Sequence, residues 1–214
     1  CAMSNLKKNN KKMKDKFNFD LDEHGKLKIF EECKEFHSVK GNPYDEFGEC
    51  SVAVQVVPLC KNVIEIGAGK GKVSHMINKM LSLRGLETQH IAIELGPGAF
   101  KMLNRTRKKF GDKYTPLKKN VNDLTHVDLE VFNEPPDCLF VDCEGCLHKF
   151  QTTDIGKSIL KSVRFIVNEM DSHHAGKCND ELRSSWKSMG FNKIADAYGC
   201  GAECECDVWF RDMV

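Results

Sequence analysis

The sequence predicts an α/β protein, a mostly parallel sheet with helices on both faces and an antiparallel pair of strands at its end. Three observations lead there. From Asn62 onward, short apolar runs alternate with stretches of helical spacing, the pattern of strand and helix units stacked into one covered sheet. The first apolar run, Val63-Ile64-Glu65-Ile66, passes through alternating glycines at Gly67, Gly69 and Gly71 into a helical pattern that begins at Val73. This reads as strand, tight loop, helix. The last two runs, Phe191 to Ala197 and Asp207 to Arg211, lie close enough in sequence to pair as neighbours.

Length and composition set the frame. A chain of 214 residues is one domain, or one domain with an extension. Lysine and arginine number 32 against 31 aspartates and glutamates, but residues 1–16 hold six lysines and one acid. The remainder is therefore slightly acidic, with no basic face over the folded part, which argues against nucleic acid as a partner. No apolar run approaches the length of a membrane span and no signal-peptide pattern is present. The eleven cysteines are an odd number lying largely in apolar runs, and they read as reduced thiols of a cytoplasmic protein. Cys1 and Ala2 ahead of Met3 read as residues left by expression, and residues 1–16 as a flexible basic tail. Residues 17–60 form an extension and residues 61–214 the core.

In the extension, Phe17, Phe19 and Leu21, then Leu27 and Ile29, alternate with polar residues around Asp22-Glu23-His24-Gly25, which predicts a β-hairpin. Asp45 to Leu59 has helical spacing at Phe47, Val52, Val56 and Leu59. In the core, alternating glycines let the backbone take positive φ and approach a flat ligand. The spacing is G-x-G-x-G, not the G-x-G-x-x-G of dinucleotide sites, and Glu65 would repel a pyrophosphate. A carboxylate there suits a cofactor that carries an amino group and a sulfonium.

Gln89 to Glu94 is the second strand, and Glu94 stands where a strand-end acid reaches ribose hydroxyls, with Leu95 beside it. The alternative is an acid facing solvent. Pro97 to Phe110 is a helix with a solvated basic face. Tyr114 to Asn120 is the third strand, and Asn120 or Asp123, with the backbone at Val121, can hold an adenine edge. Pro135-Pro136 ends a helix ahead of the strand Cys138 to Val141, which delivers Asp142 and Glu144 to the carboxyl edge of the sheet. The strand Val163 to Val167 delivers Asn168, Glu169 and Asp171 to the same edge, with His173 and His174 in the loop beyond. A helix from Cys178 or Asn179 to Met189 follows. Cys200, Cys204 and Cys206 fall at the tip between the last two strands, and Cys143 and Cys146 make a C-x-x-C at the acidic edge. A structural zinc needs two such pairs meeting in space.

Together, Glu-x-Gly-x-Gly-x-Gly at the first strand, Asp-x-Glu-Gly after the fourth and a glutamate ending the fifth resemble the FkbM-type methyltransferases, across about Asn62 to Asp171. The resemblance implies a Rossmann-like class I methyltransferase sheet that binds S-adenosylmethionine and methylates a hydroxyl of a sugar, glycan or other small molecule. It departs from the family pattern at Cys146, where another acid often sits, and in the short stretch His148 to Phe150. The implied cofactor set is Glu65, Gly67, Ala68, Gly69 and Gly71, then Glu94 and Leu95, then Asn120, Val121 and Asp123, and Asp142. Methyl transfer to an alcohol requires alignment and removal of a proton. Asp142, Glu144 and His173 are the candidate catalytic groups. Asp142, Asn168 and Glu169 could instead hold magnesium or manganese, which would lower the pKa of the hydroxyl. Two other readings remain: a nicotinamide-dependent dehydrogenase, and a catalytically silent methyltransferase-like partner protein.

Overall fold

Among the described residues, seven strands form one sheet: β1 Val63–Ile66, β2 His90–Ile93, β3 Thr115–Leu117, β4 Cys138–Val141, β5 Phe165–Asp171, β6 Asn192–Tyr198 and β7 Cys204–Phe210. Their order is β3-β2-β1-β4-β5-β7-β6. β1 to β5 run parallel, β7 is antiparallel to β5, and β6 is antiparallel to β7. The strand order reverses between β1 and β4, so their carboxyl ends flank the crevice where open α/β sheets bind ligands. The computed structural model describes residues 16–30, 33, 46–143, 145–199 and 204–213, with the backbone alone at 171–178 and 204. The predicted tail of residues 1–16, apart from Lys16, lies outside the described residues.

The strands' alternation divides the core into two layers. Val63, Phe140, Phe165 and Val167 face one way, against Val52, Ala53 and Val56 of helix α1 (Phe47–Val56) and Met76, Ile77 and Met80 of helix α2 (Lys72–Ser82). Ile64, Ile66, Leu139, Val141 and Ile166 face the other way. There they meet Ile155 and Ile159 of helix α5 (Asp154–Ser162) and Leu182 and Trp186 of helix α6 (Ser172–Ser188). Helix α3 runs Pro97–Phe110, the predicted bounds, with proline in its first turn and Gly111 closing it at φ 73°. Helix α4, Leu147–Phe150, is a single anchored turn whose Leu147 and Phe150 are buried.

Several expectations need correction. The predicted hairpin is reduced to one antiparallel bridge, Leu21 to Leu27, and Lys16 and Phe17 are helical. The turn is closed by the Asp22 carboxylate, which accepts from the His24 and Lys26 amides, while the Phe17 ring packs against Phe165 and Phe210. The extension is thus held by side chains inserted under the sheet, not by a ladder of its own. β3 is shorter than predicted, and β5 continues to Asp171 through its pairing with β7. Helix α6 begins at Ser172, so His173 and His174 lie on a helix and not in a loop. Cys206 sits inside β7, opposite Glu169, and not at a hairpin tip. Cys143 and Cys146 are joined by a disulfide, against the expectation of reduced thiols. Among the described residues, no helix is long and apolar enough to cross a membrane.

Candidate functional site

The glycine loop is shaped by close backbone contact. Gly67 has φ 83°, and a Cβ there would stand 1.6 Å from the carbonyl oxygen of Asp142. The loop after β1 therefore lies directly on the end of β4, and only glycine fits. Gly69 differs: at φ 52°, its Cβ position meets nothing closer than the Gly67 oxygen at 3.9 Å, so its vacant side faces open space. Gly71, at φ 86°, starts α2. Glu94, just past β2, ties this loop down. Its Oε2 accepts the Gly69 amide at 2.9 Å and its Oε1 accepts the Gly96 amide at 2.5 Å. A carboxylate offers about four acceptor positions, which leaves capacity for a pair of hydroxyls.

Beside this loop lies a cleft of about 470 Å³, within the range of small-molecule and cofactor pockets. Its walls are Gly67 and Gly69, Glu94 and Leu95, Asn120, Val121 and Asn122, and Asp142 with Cys143 and Cys146. Leu95 is 59 % exposed and supplies an apolar wall next to the acid. The Asn120 side chain is occupied, its Oδ1 accepting from the amide and the side chain of Asn122. Among the described residues the buried Asn122 Oδ1 has no partner. Asn122 is thus a lining residue with an unused acceptor, one the sequence reading passed over. Asp123 is exposed and outside the lining.

The carboxylates gather behind the loop, on the α1 side of the sheet. Glu65 is buried and its Oε2 lies 3.1 Å from Nε2 of the buried His90. With Glu46, Glu49, Asp142 and Cys206 it borders a small enclosed cavity that shares Gly67 and Asp142 with the cleft. Burial, then the hydrogen bond and charge of Glu169, then the charges of Glu49 and Glu46 push the Asp142 carboxyl up to about 10. Glu49 is raised well above the carboxylate range, chiefly by burial and then by the charge of Glu169. The cluster accordingly holds protons at neutral pH. Glu49 is a second residue missed in the sequence. Only the docking of α1 onto the sheet brings it to β4 and β5.

The predicted metal set is not assembled. On β5, Asn168 turns to the face opposite Glu169, where its Nδ2 donates to the Glu169 carbonyl at 2.8 Å and approaches the Met170 sulfur at 3.2 Å. Alternation along a strand enforces this once β5 extends past residue 167. Among the described residues, no group of three or more His, Cys, Asp or Glu side chains is placed to hold a metal ion. Glu144 lies outside the described residues, and of His173 only the backbone position on α6 is described. Ala68 is buried, its amide donating to the Ile93 carbonyl.

No protein-family model matches the chain, and no curated protein matches it by sequence. Solved structures do match. A candidate O-methyltransferase from Klebsiella pneumoniae superposes with a TM-score of 0.55 at 13% identity, covering 98% of this chain and 89% of that one. The S-adenosylhomocysteine-bound methyltransferase of Podospora anserina gives 0.55 at 13% identity over 77% of this chain and 78% of its own. The O-methyltransferase of Bacillus cereus, also in complex with S-adenosylhomocysteine, gives 0.54 at 12% over 76% and 80%. The fold is that of the Rossmann-like methyltransferases. In this methyltransferase-like fold the structure brings Gly67, Gly69, Glu94, Leu95, Asn120, Val121 and Asp142 to one cleft. Gly71 starts α2 outside the lining, its vacant side against Leu103 and Tyr114, and Glu65 turns behind the loop toward His90.

Proposed function

We propose that the protein is an S-adenosylmethionine-dependent O-methyltransferase acting on a hydroxyl of a sugar, glycan or other small molecule. The observation that carries this reading is the cleft: an open glycine loop, an acid with spare acceptor capacity beside an apolar wall, and an unpartnered amide oxygen, in a fold whose solved relatives hold S-adenosylhomocysteine. In this reading Glu94 receives the ribose hydroxyls, Leu95 and Val121 pack the adenine, and Asn122 accepts from its amino group. The loop amides approach the methionine end, and Asp142 lies toward the sulfonium.

The acceptor approaches over Asp142 and Glu169. Methyl transfer is an in-line displacement in which the sulfonium leaves as a neutral thioether, so the enzyme's task is alignment and removal of the hydroxyl proton. The side chains of Asp142 and Glu169 are hydrogen-bonded to one another, and in this reading the two act together as the group that takes up the hydroxyl proton. Glu144 and His173 remain candidates for the same role. Magnesium or manganese would find the Asp142 and Glu169 carboxylates here and not the Asp142, Asn168 and Glu169 set.

The test is transfer of labelled methyl to a panel of vicinal diols and isolated alcohols, run with and without chelator, alongside S-adenosylhomocysteine binding by wild type and Glu94→Ala. Transfer to a diol and a loss of roughly 1.5 to 3 kcal/mol in binding on removing Glu94 are expected, the scale of hydrogen bonds to a charged group. Methyl incorporation into amines alone, or a Glu94→Ala affinity equal to wild type, would refute the acceptor class or the ribose role respectively.

A further inference from the structure

We propose that Cys143 and Cys146 are a reversible dithiol and disulfide pair whose oxidised form holds the cofactor cleft in its binding shape. The inference rests on the cofactor reading above. Both cysteines line the cleft, both are partly exposed, and they are bonded to one another. The C-x-x-C thus sits in the wall of the site itself, unlike the buried Cys33, Cys50, Cys60, Cys138 and Cys206.

The position of the ring explains why its state matters. Upstream, Asp142 is fixed to β1 by its amide, which donates to the Ile66 carbonyl at 2.9 Å. Downstream, Leu147 and Phe150 of α4 are anchored in the core. Residues 143–146 are the span between those anchors, and the disulfide is the covalent constraint on it, supplemented by the Cys146 amide donating to the Cys143 carbonyl at 3.1 Å. The span also presses on the glycine loop: a Cβ at Gly67 would come within 3.3 Å of the Cys143 Cα. Reduction replaces a bond by a non-bonded sulfur contact, and the two thiols then need more room. The slack is taken up in the cleft wall, beside Asp142 and Gly67.

The reaction is thiol–disulfide exchange with a low-molecular-weight thiol. One external thiolate attacks a sulfur of the pair, forming a mixed disulfide and releasing the other cysteine as thiolate. A second external thiolate then resolves the mixed disulfide. The pair gains two electrons and two protons, and the external thiols leave as their own disulfide.

The full chain equilibrated with glutathione over a range of reduced to oxidised ratios provides the test. The state of Cys143 and Cys146 is read by alkylation and peptide mass spectrometry, and S-adenosylhomocysteine affinity by calorimetry at each ratio. Affinity should fall about tenfold as the pair is reduced, below the roughly twentyfold ceiling that the chain entropy of so short a ring sets. The double variant Cys143→Ser/Cys146→Ser should stay at the weak value at every ratio. If that variant does not fold, the wild-type titration decides alone. Equal affinity at both ends, with the pair shown to have changed state, overturns the switch and leaves the cofactor reading intact. A pair that remains oxidised at every ratio also overturns it. Absence of binding at both ends overturns the cofactor reading and the switch together.

Discussion

Two acids lie one residue apart in register on opposite faces of the same strand pair, and they are treated differently. Asp207 on β7, opposite Asn168, is fully buried on the α6 side, with Arg183 Nε at 2.8 Å and Lys193 Nζ at 2.6 Å. Burial works against the charge of Lys193, yet the charge of Asp207 and the hydrogen bond of Asp196 outweigh it and raise its pKa. On the α1 side, opposite Cys206, Glu169 meets Asp142 and Glu49, and the charges of Glu169, Glu49 and Glu46 add to burial in raising the Asp142 carboxyl. A buried acid with two cations is a completed structural pair. Acids that raise one another's pKa are held at some expense of stability, and that arrangement concentrates at working sites.

Removing the central acid separates the two cases most sharply. Asp142→Ala should lower methyl transfer at least about a hundredfold, the scale of general acid–base catalysis, while the melting temperature stays level or rises. Initial rates and a thermal melt on the same preparation check this. A variant that melts early and still turns over would assign Asp142 to structure. Arg183→Met is the converse case. It leaves Asp207 half compensated and should cost about 2 to 4 kcal/mol of stability by denaturant unfolding, with cofactor affinity unchanged. An effect on affinity would mean that the two faces are coupled.

The smallest effect, taken per pH unit, is on pH dependence. The Asp142 carboxyl has its pKa raised from 3.8 to about 10 in the folded chain. Between those values the folded state keeps a proton that the unfolded chain has released, so stability is full below about pH 4 and declines as pH rises toward 10. Each pH unit in that window weighs at most about 1.4 kcal/mol per retained proton, roughly 3 to 5 °C of Tm at this size. The Tm of the wild type should therefore fall from mildly acid to mildly alkaline pH, and Asp142→Asn should flatten the profile. A wild-type Tm that rises over that range would contradict the protonated cluster.

Most of the sheet was legible because its signals are local. Apolar runs of four residues gave β1 and β4, alternating glycines gave the loop, and Pro97 and Gly111 bounded α3. The failures share a cause in long-range pairing. Phe17 alternates like a strand residue, but its ring is drawn under Phe165 and Phe210, distant in sequence. β5 outruns its apolar stretch because β7 pairs with it as far as Asp171, and that extension turns Asn168 away from Glu169. Glu49 is an unremarkable helix acid in the sequence. It becomes part of the site only because Gly48 lets α1 press against the Tyr198 carbonyl, where a Cβ would stand 1.3 Å from the oxygen. Asn122 was hidden by its neighbours, since only the turn at Val121–Asp123 decides which polar side chain meets the cleft.

The central claim is that the cleft beside Gly67 to Gly71 is a cofactor site, and one calorimetric comparison tests it most directly: S-adenosylhomocysteine titrated into wild type and into Gly69→Val. Gly69 is the loop glycine whose vacant side opens outward, so a branched side chain there fills the space a ligand needs and leaves β1 against β4. The account predicts saturable binding to wild type and none to a Gly69→Val chain whose circular dichroism matches it. Equal binding by the two chains, or none by wild type, would contradict it.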